Sequence, residues 1–276
     1  MALDLPAASR ESLADLASRL EVLVDQVGPA ELDAFGDELF AVARLLAAQI
    51  GLRRHLADPS VPESARTDVV ERLLAGKVQR PALEAVQAAA AARWSRSADL
   101  IDALQTLART AVLASAEKTG RLDEAEDELF RFGRILDREP ELARLLADPV
   151  TPIEGRIRLL DQLLSGKVTQ TTATLLRQAV ELPRGQHLDV LAEELAEMAA
   201  ARRHRSIARV TTAVRLTPDQ EQRLVDTLSR LYGRPMSLQV ELDESLLGGL
   251  VVRVGNEVID GSVAGRLETA RRLLPH

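Results

Sequence analysis

Cysteine is absent from this chain of 276 residues, and aromatic residues make up only 2% of it. Without thiols the chain forms no disulfides and has no thiolate nucleophile or metal ligand, which fits a reducing compartment. The scarcity of aromatics leaves leucine, alanine and valine to build the cores, and this favours closely packed helices over sheets. We therefore expect a mainly α protein.

Long apolar runs and an excess of positive charge are also missing. The alanine run at 88–92 is far shorter than the roughly 20 apolar residues that a transmembrane helix needs. Asp4 stands where a secretory signal would be basic, so we expect a cytoplasmic protein. A formal net charge of -7 disfavours nucleic-acid binding, which needs a concentrated basic face.

A duplication occupies most of the chain. When the sequence is shifted by 90 residues, 37–78 aligns with 127–168 without gaps, and 19 of the 42 positions are identical. Both stretches begin with "DELF", contain "LADP" and a later proline, and end in "GKV". The Asp-Pro pairs predict helix ends, Pro62 and Pro152 can open the next helix, and Gly76 and Gly166 predict left-handed C-caps. We expect four or five helices in each copy.

An amphipathic stretch precedes the duplication, and the period changes after residue 206. Ser9 can cap the first helix, whose apolar stripe is Leu13, Leu16, Leu20, Leu23 and Val27. Residues 207–216, 236–243 and 249–260 alternate like strands, the last broken into a hairpin at Gly255-Asn256. "TPDQ" at 217–220 predicts a capped helix, and 263–274 predicts a final helix.

These patterns predict a multi-domain, mainly α fold: an N-terminal helical bundle with a duplicated helical unit, then a small α+β C-terminal domain. The segments are an amphipathic helix at 1–30, repeat copy 1 at 31–120, repeat copy 2 at 121–206 and the α+β domain at 207–276.

No motif predicts a catalytic, cofactor-binding or metal-binding residue. "GKVT" at 166–169 follows a helix and lacks the pattern of a phosphate loop, so a helix cap is favoured. The histidines His55, His187, His204 and His276 share no metal-ligand spacing. The acidic run at 121–130 suits a helix start rather than a cation site, and "RRHR" at 202–205 suits a helix end, with an acidic partner as the alternative.

The stretch "GNEVIDGSVAGRL" at 255–267 could be an anion-binding loop or a structural turn. Gly248 and Gly249 permit a tight approach to the strand, and Asp260 or Ser262 can accept hydrogen bonds from free helix amides. Because each residue has a folding role, a structural turn is favoured.

The longer stretch "GGLVVRVGNEVIDGSVAGRLETARRLL" resembles the end of the delta subunit of bacterial rotary ATP synthase, the homologue of the mitochondrial oligomycin-sensitivity-conferring protein. Residues 9–20 and 141–164 are similar to that family's first helix and its second and third helices, so the resemblance covers 122–276 and the first helix. The residues of the C-terminal motif are Gly248, Gly249, Gly255, Asp260, Gly261, Ser262, Gly265, Arg266 and Leu267.

The chain departs from that family in having two helical units where one is usual. It resembles an enlarged delta subunit in which copy 1 is the insertion, because copy 2 adjoins the C-terminal domain. The first helix could pack on either copy, so the copy that docks on the catalytic head is left open.

The resemblance implies a non-catalytic stator, or peripheral-stalk, subunit of F-type ATP synthase, without a cofactor. Its helical part would bind the N-terminal helices of the alpha subunits, and its C-terminal domain would bind the C-terminal region of the b subunit. It would lie at the cytoplasmic face of the membrane through these partners and the rest of the complex. The stripe on the first helix is then either core or a docking face. A free helical-repeat adaptor is the alternative, but it does not explain the C-terminal motif.

Overall fold

The computed structural model describes residues 5–205, 207–233, 236–243, 246, 248–254 and 257–262. The chain forms two compact units, 1–199 and 200–276. Its helices are α1 (Ala7–Gln26), α2 (Pro29–Ala48), α3 (Ile50–Ala57), α4 (Glu63–Leu74), α5 (Arg80–Ala91), α6 (Ser97–Lys118), α7 (Leu122–Arg138), α8 (Pro140–Ala147), α9 (Ile153–Leu164), α10 (Gln170–Glu181), α11 (Leu188–Arg205) and α12 (Pro218–Tyr232). The strands are β1 (Ile207–Thr212), β2 (Ser237–Leu242), β3 (Leu250–Val254) and β4 (Glu257–Asp260). The fold is thus mainly α with a small α+β C-terminal part, as predicted.

The helices of the first unit repeat with the period of the sequence. α3 and α8, α4 and α9, and α5 and α10 each begin and end 90 residues apart. The predicted C-caps are confirmed, since Gly76 and Gly166 have φ of 72° and 68° directly beyond α4 and α9. Each copy has five helices, and one continuous apolar core runs from α1 to the first turns of α11.

The "DELF" glutamates fix the start of a distant helix in each copy. The Glu38 carboxylate accepts a hydrogen bond from the backbone N–H of Gln79 at 3.0 Å. The Glu128 carboxylate accepts one from the backbone N–H of Thr169 at 2.9 Å. Because the first amides of a helix lack partners within it, each carboxylate stabilises the beginning of α5 or α10.

The first helix also fits the 90-residue period of the duplication. α1 begins at Ala7 and α6 at Ser97, again 90 residues apart, and the start of α11 follows one residue beyond the next interval. α6 is buried on almost every side and packs tightly against α2, whose Gly36 lies where an added Cβ would meet Val112 at 2.7 Å. α6 therefore both ends copy 1 and precedes copy 2, as α1 precedes copy 1.

The predicted cap at Ser9 is wrong. α1 begins two residues earlier, with Pro6 as its N-cap, so Ser9 lies inside the helix and is fully buried. Its Oγ donates to Asp99 Oδ2 at 2.7 Å and accepts from the backbone N–H of Ser95 at 2.9 Å. The hydroxyl thus links α1 to the start of α6, a long-range role that local sequence does not indicate.

The second unit contains a four-stranded sheet with the order β2-β1-β3-β4. β1 runs parallel to β2 and antiparallel to β3, and β4 is antiparallel to β3. α12 connects β1 to β2, and its predicted capping box is confirmed between Thr217 and Gln220. The small core combines Ala208 and Val210 of β1, Leu228 of α12, and Val252 and Val254 of β3.

Strand β1 is shorter than predicted. It ends at Thr212 rather than at residue 216, because the Thr212 hydroxyl donates to the carbonyl of Val214 at 3.0 Å and the chain turns toward the cap of α12. The predicted hairpin arms are confirmed as β3 and β4, while Gly255-Asn256 and the predicted helix at 263–274 lie outside the described residues.

Candidate functional site: a groove in copy 1 and the C-terminal turn

An apolar groove of about 240 Å³ lies between α1 and α5 in the first unit. On the α5 side the small side chains of Ala85 and Ala88 leave room, and the exposed Arg19 and Glu84 flank the opening. An apolar cleft with charged edges suits an amphipathic helix. The lining residues are Leu16, Arg19, Leu20, Leu23, Phe35, Pro81, Glu84, Ala85, Ala88 and Leu107.

The five stripe residues of α1 divide between core and groove. Leu16 and Leu20 are each 4% exposed, whereas Leu13, Leu23 and Val27 are half-buried against the same core. Leu16, Leu20 and Leu23 also line the groove, and Leu23 and Val27 line a smaller adjoining cleft. The stripe therefore serves the core first, and its use by a partner stays a prediction.

The positions 90 residues later, on α6 and α10, are more buried than those of the groove. Arg19 is exposed at the groove, but Arg109, its counterpart 90 residues later, is only 7% exposed. Burial lowers the pKa of the Arg109 guanidinium, against the opposing effect of the carboxylates of Glu194 and Asp102. Leu113, the counterpart of Leu23, is 1% exposed.

Side chains of copy 1 form part of the cover over these positions. Ala88 of the groove corresponds to Gln178 in α10, and the Arg44 guanidinium of α2 donates to Gln178 Oε1 at 2.5 Å and to Glu181 Oε2 at 2.7 Å. Arg184, which follows α10, donates to Asp102 of α6 at 2.8 Å. These partly buried bonds join the two copies, and Arg44 of copy 1 lies against the position in α10 that matches the groove residue Ala88.

The C-terminal motif forms a tight turn between β4 and the segment after it. Gly249 has φ of 81°, and a Cβ there would meet the carbonyl oxygen of Gly261 at 2.5 Å, so no larger residue fits. The Gly261 N–H donates to the Leu250 carbonyl at 3.0 Å, and the Ser262 N–H donates to Asp260 Oδ1 at 2.9 Å. The bonds from Ser262 lower the pKa of the Asp260 carboxyl.

This geometry supports a structural turn, because the Asp260 carboxylate takes the amide that an anion would need. Gly248, with φ of 129°, precedes Gly249 at the approach to β3. Gly255, Gly265, Arg266 and Leu267 lie outside the described residues, so their predicted parts in the motif stay predictions.

Two of the motifs that we interpreted from the sequence as helix ends, and not as ligand sites, have structural roles. "GKVT" follows α9, with Gly166 left-handed and the Lys167 N–H donating to the Leu164 carbonyl at 2.9 Å. The acidic run opens α7, whose first turn holds Asp123 and Glu124. Across the described part of the chain, no cluster of three or more His, Asp or Glu side chains is arranged to hold a metal ion. None of the helices described combines the length and apolarity of a membrane span.

Comparison with known proteins places the chain in a family. The family model "ATP synthase delta (OSCP) subunit" matches residues 108–274. "ATP synthase subunit b-delta" from Mycobacterium sp. strains KMS and JLS is 47% identical over 267 residues, 97% of this chain and 60% of the relative. "ATP synthase subunit delta" from Streptomyces avermitilis is 44% identical over 265 residues, 96% of this chain and 97% of the relative. The chain thus spans about 60% of the length of the Mycobacterium relatives.

Among solved structures, a chain of the Toxoplasma gondii mitochondrial ATP synthase hexamer covers 61% of this chain at 21% identity. Its TM-score is 0.28.

The family match begins inside α6, so it includes the helices of copy 2 and the second unit but not residues 9–20 or the rest of copy 1. Residues 1–107, which contain α1 to α5, therefore precede the matched region and repeat part of it. With a match over more than half of its length and 44% identity to the Streptomyces subunit, this chain belongs to the ATP synthase delta (OSCP) subunit family.

Proposed function

We propose that this chain is a non-catalytic peripheral-stalk subunit of F-type ATP synthase. It holds the alpha/beta catalytic head against the torque of the central rotor, so that ion flow drives ATP synthesis instead of turning the head. Family membership supports this role, and the free adaptor that the duplication alone allowed is not favoured. The chain supplies no active site or cofactor site of its own and associates peripherally with the membrane, at its cytoplasmic face, through its partners.

The open groove of copy 1 is the docking site for the head. The observation that supports this assignment lies within the chain: at the matching site in copy 2, Arg44 of the amphipathic helix α2 bonds to Gln178 and Glu181 of α10. A helix of similar character fits the empty groove, with apolar side chains against Leu20 and Leu23 and polar ones near Arg19 and Glu84. The N-terminal helices of the alpha subunits are the proposed occupants.

The second unit binds the other partner in the stator, which is a b-type stalk polypeptide. The names of the Mycobacterium relatives join b and delta in one protein, which supports a close association between the two functions. Between these attachments, the partly buried bonds of Arg44 and Arg184 tie the copies into one helical body that can transmit force.

Co-purification from native membranes with a tagged chain tests the proposal. The informative variant is Ala88→Arg, because Ala88 is half-buried at the groove and a guanidinium there fills it without removing core atoms. The control is Ala14→Arg, at an exposed position of α1 that does not line the groove. We expect Ala88→Arg to lose most of the alpha and beta subunits while keeping the b polypeptide, and the control to keep all of them. Equal recovery of the head with both variants would overturn the groove assignment, and a wild-type chain that recovers neither head nor stalk would overturn the proposed function.

A further inference from the structure

Three side chains on neighbouring strands form an exposed row on one face of the C-terminal sheet. In the parallel pair of β1 and β2, Arg209 lies opposite Gln239. In the antiparallel pair of β1 and β3, Arg209 lies opposite Arg253. All three side chains are exposed, while Ala208 and Val210 point to the buried face that α12 covers. We call Gln239, Arg209 and Arg253 the arginine row.

The row places two positive charges directly across a strand pair. Opposed Cα atoms in such a pair are about 4.5–5.5 Å apart, and like charges in this position destabilise a sheet. No carboxylate in the described part of the chain forms an ion pair with Arg209 or Arg253. The repulsion between the two guanidiniums is therefore not relieved within the sheet.

Two carboxylates of the sheet have hydrogen-bond partners of their own. Glu257 accepts a hydrogen bond from the Tyr232 hydroxyl at 2.8 Å, and Asp260 accepts from Ser262. Among the described residues no ion pair engages the guanidiniums of the row, so their donors can bind a group from outside the chain.

A concavity of about 410 Å³ surrounds the row. It is completed by His204, at the end of α11, and by Ile207, at the start of β1. The site thus combines two guanidiniums, an imidazole and an amide with one aliphatic wall. Guanidiniums bind carboxylates through paired hydrogen bonds, and the aliphatic wall favours a polypeptide over a small inorganic anion.

We propose that the arginine row binds an acidic helix of the stalk polypeptide. Two carboxylates at positions i and i+4 of a helix lie about 5–6 Å apart, close to the separation of the two opposed strand positions. An apolar residue on the same face of that helix would pack on Ile207. The inference rests on the proposed function and adds the chemistry by which the second unit recognises its partner.

The test is a titration of the full-length chain with the purified b-type stalk polypeptide in detergent, at low and at high salt. The variants are Arg209→Glu and Arg253→Glu, and the control is Arg223→Glu at an exposed position of α12. We expect each row variant to raise Kd at least about tenfold at low salt, the control to leave it unchanged, and high salt to narrow the difference.

A folding defect would not imitate this result. Each row variant places Glu opposite Arg and so removes the like-charge pair, and its melting temperature should be at least that of the wild type. The inference would be overturned if both row variants bound the stalk polypeptide with unchanged Kd. It would also be overturned if the row variants lost binding to anionic phospholipid vesicles but kept binding to the stalk polypeptide. If the wild-type chain does not bind the polypeptide at all, both the proposed stalk attachment and the role of the arginine row are overturned. If only the row variants lose affinity, both are supported.

Discussion

The two copies of the helical unit share much of their sequence but not their surroundings. Phe40 and Phe130 close the same "DELF" sequence, yet Phe40 is 1% exposed and Phe130 is 56% exposed. Phe40 lies one helical turn before Arg44, on the side of α2 that contacts α10 of copy 2. The same side of α7, with Phe130 and Arg134, is exposed. The neighbouring copy, rather than the local sequence, therefore determines which side chains become core.

At the groove, the difference in side-chain exposure between matching positions is reversed. There Arg19 of α1 is exposed and its counterpart, Arg109 of α6, is buried. A surface that is covered in one copy is thus uncovered at the matching place in the other copy. This is expected for stacked repeats that contact only their neighbours. Among the described helices, the groove of copy 1 and the Phe130 side of copy 2 are left open in this way.

The largest expected contrast is between the two phenylalanines. Phe40→Ala should lower the free energy of unfolding by about 3–5 kcal/mol, because it leaves a cavity in the joint core of the two copies. Phe130→Ala should lower it by about 1 kcal/mol or less, because the ring is mostly in solvent. Urea denaturation of the full chain measures both, and similar losses would mean that the two copies have equivalent surroundings.

The second contrast concerns two arginines of α4 and α9. Arg66 is 5% exposed and donates to the carbonyls of Ala91 at 3.1 Å and Ala92 at 3.0 Å, which clamps the end of α5. The side chain of Arg156, its counterpart, is only half-buried. Arg66→Ala should cost about 2–4 kcal/mol, since it leaves buried carbonyls without donors. Arg156→Ala, assayed by the same denaturation, should cost clearly less, and a reversed order would refute the clamp.

At the shared C-caps the copies should behave alike. Gly76 and Gly166 have nearly the same positive φ, and a Cβ at either would meet nothing within 4 Å. Gly76→Ala and Gly166→Ala should each cost about 1 kcal/mol, from backbone strain alone. Thermal unfolding of the two single variants checks this, and a large difference between them would show that one cap has a tertiary role.

The smallest effect is a pH dependence that both copies share. Hydrogen bonds lower the pKa of the Asp58 carboxyl, chiefly from Ser60, and of the Asp148 carboxyl, chiefly from Thr151 and the Val150 amide. Since these folded-state pKa values lie below the unfolded one, the carboxylates stabilise the fold above the unfolded pKa, and the effect is lost as pH falls through the folded pKa. Asp58→Asn and Asp148→Asn should therefore be slightly less stable than the wild type at neutral pH and should match it in strong acid. Melting curves across that range would contradict this if the deficit persisted in acid.

The features that sequence predicted well depend on short-range chemistry. The caps at Gly76 and Gly166, the capping box at Thr217 and the helix start near Asp123 each follow from residues within one turn of one another. The duplication predicted much of the rest of the helical pattern, since matching landmarks in the two copies give matching ends for α3 and α8, α4 and α9, and α5 and α10.

What sequence missed depends on residues far apart in the chain. Ser9 was wrongly predicted as a cap, since nothing in the neighbouring sequence indicates its hydrogen bond to Asp99, 90 residues away. The exposure of Phe130 depends on where copy 1 packs, and the arginine row depends on the register between β1 and β3. Strand alternation places Arg209 on one face, but only the pairing of strands brings Arg253 beside it.

Photo-crosslinking within the purified complex tests the central claim most directly. A photoreactive residue at position 88, inside the groove of copy 1, is compared with one at position 130, on the exposed side of copy 2. The account predicts that position 88 captures the N-terminal segment of an alpha subunit and that position 130 does not. Capture of that segment from position 130 but not from position 88 would contradict the assignment of copy 1 as the docking site for the head.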